Sequence, residues 1–364
     1  AGRTISYGMA RPSPTLPLRQ LTREDPMIAL LGIDLGKNVC SLAGADASGA
    51  VVLRRRIRRS SLAAFVERLP SCIVAMEACC GAHHFAQLFE AAGHTVRLMP
   101  PEYVRPYVKS HKNDDRDAEA IAEAASRPNM RFVPTKSDAQ LDVQALHRVR
   151  QRLVAERTAL INQLRALLFE RGLIIPKGRT RLDRWIREEL PTAPGLSPRM
   201  QALVASLLQE LRQIDERVRD LDREFEALCQ RDPVAQRLRT VPGIGALNAT
   251  ALAAAVADPG SFGKGRDFAA WLGLVPRQVS TGGRSQLVGI SKRGSTYMRV
   301  LLIHGARSAL PGLARGDTRL GAWLRALLER AKRNVVVVAL ANKLARIAWA
   351  VMARREVFNL AAAA

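Results

Sequence analysis

Between residues 27 and 130, short apolar runs of strand length alternate with stretches that read as helices. Runs at 28–34, 38–45, 50–57, 71–76 and 94–99 predict five strands. The first three follow one another through short turns, which predicts an antiparallel meander. Helices at 61–69 and 82–92 then lead into the last two strands, and an alanine-rich helix begins near Asp114.

From residue 139 the period changes. Leu146, Leu153, Leu160 and Leu167 recur every seven residues, with Val149 and Leu164 nearby. Breaks follow at Gly172–Arg181 and Pro191–Pro198. Leu207, Leu211, Ile214, Val218, Leu221, Phe225 and Leu228 then alternate steps of four and three, the spacing of a coiled-coil seam. Such a seam serves either a hairpin within the chain or a contact between copies, and it also suits a basic arm on nucleic acid. Beyond residue 230 the pattern is mainly helical. These shifts divide the chain into an extension (1–26), an α/β domain (27–135), a helical coiled-coil region (136–230) and a C-terminal domain (231–364).

Four acids stand at element ends in the α/β part. Asp34 closes Ile28–Leu31 and Gly32-Ile33, just before a Leu-Gly-Lys turn, and Glu77 closes Ile73-Val74-Ala75-Met76. Asp114 and Asp117 are three apart in Lys112-Asn113-Asp114-Asp115-Arg116-Asp117-Ala118, so a helix presents both on one face. Asp115 is the alternative to Asp114. Strands and helices in this order are those of a ribonuclease H-like fold, in which acids at the first strand, the fourth strand and the last helix converge. Four convergent carboxylates repel one another unless divalent cations neutralise them, and oxygen ligands suit Mg²⁺ or Mn²⁺. Two ions roughly 3.5–4 Å apart would stabilise the attacking and leaving oxygens of a phosphoryl transfer.

Charge supplies the partner. The 364 residues carry 56 Lys+Arg and 33 Asp+Glu, a net +23, which points to a polyanion. Residues 231–364 hold 21 basic and 6 acidic residues, or +15. The five cysteines form no CxxC pair, which favours a reduced, cytoplasmic protein over a disulfide or zinc framework. Cys79-Cys80 and His83-His84 read as packing at a helix start. No apolar run has the length of a membrane span, the longest candidate being Val335–Leu340 in a short core helix. Residues 1–26 lack a signal peptide's apolar core and read as a flexible basic extension.

Two polar stretches interrupt the C-terminal helices. Val241-Pro242-Gly243-Ile244-Gly245 resembles the turn of a helix–hairpin–helix, where Gly243 and Gly245 let backbone N–H groups approach a phosphate. A turn that only packs two helices is the other reading. Pro276–Arg284 is a polar, glycine-bearing loop carrying Ser280-Thr281-Gly282-Gly283. A hydroxyl there can reach a phosphate, and Arg277, Arg284, Lys292, Arg293 and Arg299 could offset phosphate charge, as Lys112 could beside the acids. Taken alone a Ser-Thr-Gly-Gly loop is a weak signal, and Ser285 and Ser291 are alternatives.

Together, in order, these motifs resemble a DEDD transposase of the insertion-sequence-110 family, 1111 branch. The resemblance rests on Gly32-Ile33-Asp34-Leu35-Gly36-Lys37, Met76-Glu77, Lys112-Asn113-Asp114-x-x-Asp117-Ala118, Val241–Gly245, Leu272–Pro276, Ser280–Gly283 and Gly289–Gly294. It covers nearly the whole chain from about residue 28. It implies an RNase H/RuvC-like domain whose acids Asp34, Glu77, Asp114 and Asp117 bind Mg²⁺. It implies Ser280 as a nucleophile forming a covalent link to a DNA end, with Thr281 where many relatives carry a second serine. It further implies a non-coding guide RNA pairing with donor and target DNA, and dimers or tetramers in which one protomer's acids complete another's serine site.

Two rival readings use the same residues. One is a RuvC-like nuclease or junction resolvase that cuts with water, Ser280 being a turn residue. The other is a nucleic-acid-binding protein without catalysis, against which the intact acid quartet argues.

Overall fold

The computed structural model describes residues 27–108 and 114–359, the side chains of 114 and 115 excepted. The extension at 1–26, Lys112 and the side chains of Asp114 and Asp115 lie outside the described residues. The chain divides into two compact units, one up to Thr135 and one from Lys136.

The first unit is built on a five-stranded sheet: β1 (Leu30–Asp34), β2 (Val39–Ala45), β3 (Val51–Arg58), β4 (Ile73–Glu77) and β5 (Thr95–Met99). Its order is β3-β2-β1-β4-β5. The first three strands form the expected antiparallel meander, while β1, β4 and β5 run parallel. Helices α1 (Leu62–Val66) and α2 (Ala82–Ala91) connect the later strands, and α3 (Pro101–Val104) and α4 (Asp114–Ala125) follow β5.

Alternation along the strands sorts the two faces. Leu31, Ile33, Val74 and Met76 point to one core with Leu62, Phe65, Phe85 and Phe89 of α1 and α2. Leu30 and Ala75 point to the other, against Ile121, Ala122 and Ala125 of α4. Gly32 makes the second contact possible. A Cβ there would lie 2.4 Å from the Ala118 carbonyl oxygen and 2.7 Å from the Ala122 nitrogen. The α4 backbone therefore rests directly on β1.

The second unit opens with α5 (Asp138–Phe169), which starts at a capping box between Ser137 and Gln140. Then come α6 (Arg179–Glu188) and α7 (Pro198–Arg231). Leu153, Leu160, Leu164 and Leu168 of α5 share a core with Val204, Leu211, Ile214 and Val218 of α7. The cross-links run antiparallel: His147 stacks on Phe225, Arg150 pairs with Asp222, and Arg157 pairs with Asp215. The heptad seam thus closes a hairpin within one chain. Leu164 is buried, and Leu168 is buried where the sevenfold spacing singled out Leu167, because a straight helix drifts from a strict 3.5-residue repeat.

The remaining helices are α8 (Pro233–Arg239), α9 (Ala246–Ala255), α10 (Gly265–Trp271), α11 (Thr296–Arg315), α12 (Arg319–Arg330) and α13 (Arg333–Arg354), with a hairpin of β6 (Pro276–Thr281) and β7 (Arg284–Ile290). The apolar run at Val335–Leu340 belongs to a far longer helix than expected, the 22-residue α13. By length and composition α13 could cross a membrane. Instead Val336, Val337, Leu340, Ala341, Leu344, Ala345 and Ala348 lie in the unit's main core.

A buried polar junction joins α5 to this core. His147 Nε2 lies 3.1 Å from Thr250 Oγ1 on α9, and Nδ1 lies 2.8 Å from the Tyr297 hydroxyl on α11. Thr250 donates its own proton to the Ala246 carbonyl at 2.8 Å. The imidazole Nε2–H therefore donates to Thr250, and Nδ1 accepts from Tyr297.

Candidate functional site

Asp34 and Glu77 are the last residues of β1 and β4, two adjacent parallel strands. The register pairs Ile33 with Met76, so the next pair is Asp34 beside Glu77. Alternation sets both on the face covered by α4, with Gly32 and Ala75. Asp117 stands in the first turn of α4, next to Ala118, whose carbonyl lies against Gly32. The contact between Gly32 and α4 thus brings Asp117 toward the sheet end that bears the other two acids.

Electrostatics registers the assembly. The Glu77 carboxyl is raised above its ordinary pKa by burial first, then by the charge of Asp34, then by that of Asp117. Glu77 thus feels the charge of both Asp34 and Asp117. All three offer carboxylate oxygens, the donor chemistry of Mg²⁺ or Mn²⁺ and not of a thiolate zinc site. The match is partial in geometry: among the described residues no three Asp, Glu, His or Cys side chains stand together closely enough to hold an ion. The expected fourth acid, Asp114, has its side chain outside the described residues. Cys79 and Cys80 lie exposed in the turn after Glu77, not packed at a helix start.

Arg59 is a site residue that the sequence reading missed. Its guanidinium donates to the Gly36 carbonyl at 3.0 Å and to the Cys80 carbonyl at 3.5 Å. It also lies over the Phe85 ring at 4.9 Å. It therefore pins the loops that follow both acid-bearing strands. Gly81, at φ +87°, leaves room for it, since a Cβ there would lie 2.1 Å from an Arg59 nitrogen. Arg59 closes a run that also holds Arg54, Arg55, Arg56 and Arg58, so nothing in the sequence marked it apart.

In the second unit, Ser280 lies on a β-hairpin and not in the irregular loop expected. Gly282 (φ +54°) and Gly283 (φ +77°) make its two-residue turn, the left-handed pair that matches strand twist. Ser280 pairs across the hairpin with Ser285, and Thr281 with Arg284. Every residue of β6 is exposed. The Ser280 hydroxyl accepts a hydrogen bond from Gln278 Nε2 at 2.9 Å. Arg277 and Arg284, also exposed, place two guanidinium groups on the same hairpin.

The hairpin's base is tightly built. A Cβ on Gly273 would lie 2.2 Å from the Arg293 carbonyl oxygen, and one on Gly294 would lie 2.0 Å from that of Trp271. Lys292 adopts φ +56° there, with its N–H on the Gly273 carbonyl at 3.2 Å. Arg299 differs from the phosphate contact expected of it. It is buried, and its guanidinium donates to the Leu272 carbonyl at 3.1 Å, the Arg293 carbonyl at 2.8 Å and Thr296 Oγ1 at 3.0 Å. It fastens the hairpin's base, while Lys292 and Arg293 stay exposed.

The Val-Pro-Gly-Ile-Gly turn links α8 to α9. Its two glycines differ. Gly243 (φ +85°) meets Gly305 of α11 so closely that a Cβ would lie 2.6 Å from the Gly305 carbonyl oxygen. Gly243 therefore packs helices. Gly245 is exposed with open space around it at the start of α9, where the first-turn backbone N–H groups lack intrahelical partners.

Acids at the ends of adjacent parallel strands, together with a basic helical unit bearing an exposed serine hairpin, define a class: enzymes acting on polynucleotide phosphates. Comparison with known proteins names the family. The DEDD transposase model of IS110 type matches residues 31–171, and the model of the transposase IS116/IS110/IS902 family matches residues 235–316. A probable family 20 transposase of Pseudomonas aeruginosa is 48% identical over 334 residues, 91% of this chain and 99% of the relative. The transposase for insertion sequence element IS1111A of Coxiella burnetii is 44% identical over 340 residues, 92% of either chain. That for element IS1328 of Yersinia enterocolitica is 44% identical over 334 residues, 92% of this chain and 99% of the relative. The chain belongs to the IS110 family of insertion-sequence transposases and is a DNA transposase.

Proposed function

We propose that this transposase is an RNA-guided recombinase that cleaves and rejoins DNA through a serine–DNA covalent intermediate. The first unit is read as an RNase H/RuvC-like DEDD domain, which the β3-β2-β1-β4-β5 order and the paired strand-end acids support. Asp34, Glu77, Asp114 and Asp117 hold Mg²⁺ or Mn²⁺, two ions in the full site. A metal held by these four acids would supply stabilisation of the negative charge that phosphoryl transfer develops.

One observation carries the serine assignment: the Ser280 hydroxyl stands on an exposed hairpin between Arg277 and Arg284, free to meet a strand. Its oxygen attacks a backbone phosphorus, the Oγ–P bond forms, and a P–O bond of the strand breaks. The hydroxyl proton leaves as the departing sugar oxygen takes one up. A second strand's hydroxyl then attacks the same phosphorus and releases Ser280. Arg277 and Arg284 neutralise the phosphate, Gly245, Lys292 and Arg293 contact the backbone, and Lys112 serves as a backbone contact for the acid-bearing domain. The acids of another protomer complete the serine site, in a homodimer or tetramer.

A guide RNA of the same element supplies target choice, so the protein's own contacts fall mainly on backbone. The working compartment is the bacterial cytoplasm, where five unpaired thiols are at home.

The test incubates protein, the element's flanking RNA and labelled donor and target DNA with Mg²⁺, for wild type and Ser280→Ala. A denaturant-resistant protein–DNA adduct, lost in Ser280→Ala, is the expected result. Cleavage that persists in Ser280→Ala without adduct would replace the reading with a water-using nuclease.

A further inference from the structure

The second unit holds a cavity of about 580 Å³ whose lining is strongly cationic. Lys264 and Arg266 flank it at the start of α10, and Lys343, Arg346 and Arg354 line it from α13. Glu356 is its one acid. None of the five cations makes an ion pair among the described residues. Lys343 to Arg354 extends over roughly 16 Å of helix, at 1.5 Å per residue. The cations are therefore strung along a line.

The cavity is built in. Gly265 is buried, and a Cβ there would lie 3.1 Å from the Arg346 carbonyl oxygen, so α10 begins directly on the α13 backbone. Trp349 forms an aromatic wall, its orientation fixed by an Nε1–H bond to the Pro259 carbonyl at 3.2 Å. Phe358 also lines it, its N–H on Thr240 Oγ1 at 2.8 Å. Thr240 directly precedes the Val-Pro-Gly-Ile-Gly turn. Asn342, beside Lys343, donates to the Leu274 carbonyl at 3.1 Å, two residues before the serine hairpin.

We infer that this cavity binds an unpaired stretch of polynucleotide, with phosphates on the α13 cations and a base against Trp349. Unbalanced positive charge selects a polyanion. A concave site with an aromatic wall favours a strand whose bases are free to turn in, since a duplex keeps its bases stacked inside. None of these residues belongs to the serine hairpin or the acid cluster, and the inference does not rest on either. Through Asn342, the occupied helix is tied to the hairpin's base.

The test measures binding of the full chain to labelled 20-residue oligouridine RNA, oligothymidine DNA and a duplex of equal length, across a salt series. Arg346→Ala/Arg354→Ala should weaken single-strand binding and flatten its log–log salt slope by about 1.4, at ~0.7 per lost phosphate contact. Trp349→Leu should weaken it on the order of 5- to 100-fold while leaving duplex affinity unchanged. Because Trp349 also packs, wild-type protein is cross-linked to a 4-thiouridine strand, and the adduct is expected to map to the cavity wall. A loss on RNA alone, or on DNA alone, names the source of the strand. Unchanged single-strand affinity and slope in the double variant would overturn the inference, as would an equal loss on duplex.

Discussion

Gly32 of β1 and Ala118 of α4 touch backbone to backbone. No side chain fits between them, since a Cβ on Gly32 would lie 2.4 Å from the Ala118 carbonyl oxygen. This contact sets the height of Asp117 over the sheet, and so its distance from Asp34 and Glu77. Gly32→Ala must push α4 outward. The expected loss is about 1–3 kcal/mol of stability, the range for overpacking a core. Metal-dependent strand cleavage should fall further than stability alone accounts for. Chemical denaturation and a Mn²⁺ titration of cleavage, run on the same preparation, separate the two. Wild-type metal dependence in a folded Gly32→Ala would show that α4 does not position the site.

Glu77 should stabilise the metal-free protein when neutralised. Its carboxyl is raised by burial, Asp34 and Asp117, so the native state holds the proton more tightly than the unfolded chain does. The ionised form therefore costs stability at neutral pH, and that penalty disappears as pH falls below the unfolded carboxyl's value. Glu77→Gln should melt higher than wild type at pH 7.5 in chelator, with the gain shrinking toward pH 4. Added Mg²⁺ should raise the melting temperature of wild type more than that of the variant. An equal metal response in both would remove Glu77 from the ligand set.

Much of this first unit was legible. Apolar runs of strand length ending in Asp34 and Glu77 carry both the sheet and two of its acids, because a buried strand has few ways to be written. The serine hairpin was not legible as strands. All of β6 and most of β7 are exposed, with only Val288 and Ile290 half-buried, so the hairpin lacks the apolar alternation that marks a half-buried strand. The Gly282-Gly283 pair was the available signal, a two-residue hairpin turn between segments of similar length. Arg299 misled for a different reason: a cation in a basic motif looks the same whether it faces phosphate or caps carbonyls. The buried His147 sat in a leucine-rich helix with partners some 100 and 150 residues away, which no local pattern reports.

The hairpin of α5 and α7 should behave as a core and not as a contact between copies. Leu164 is fully buried against α7 within the same chain. Leu164→Ala is expected to destabilise by ~2–5 kcal/mol, the range for a buried leucine truncated in a packed core. Sedimentation at fixed concentration should give the same oligomeric state as wild type. A shift to monomer with unchanged unfolding free energy would instead assign the seam to assembly.

His147 should make the second unit acid-sensitive. Burial first, and then the Arg150 charge, lower its pKa to about 4 from an ordinary 6.5. Arg150 is itself paired with Asp222, and Tyr297, the other titratable neighbour, is pushed up to about 12 by burial. The neutral ring is thus the native form across the accessible range. Above pH 6.5 neither state binds the proton and its stabilisation is complete. Between 6.5 and about 4 the unfolded chain takes up a proton that the native ring refuses, so stability declines, and it levels off below. The full effect is up to about 3 kcal/mol, at 1.36 kcal/mol per pH unit. Urea unfolding at pH 7.5 and pH 5 should show part of that loss in wild type. His147→Gln keeps partners for Thr250 and Tyr297 without a titrating group, so it should flatten this component of the pH dependence. An undiminished slope in that variant would place the acid sensitivity elsewhere in the unit.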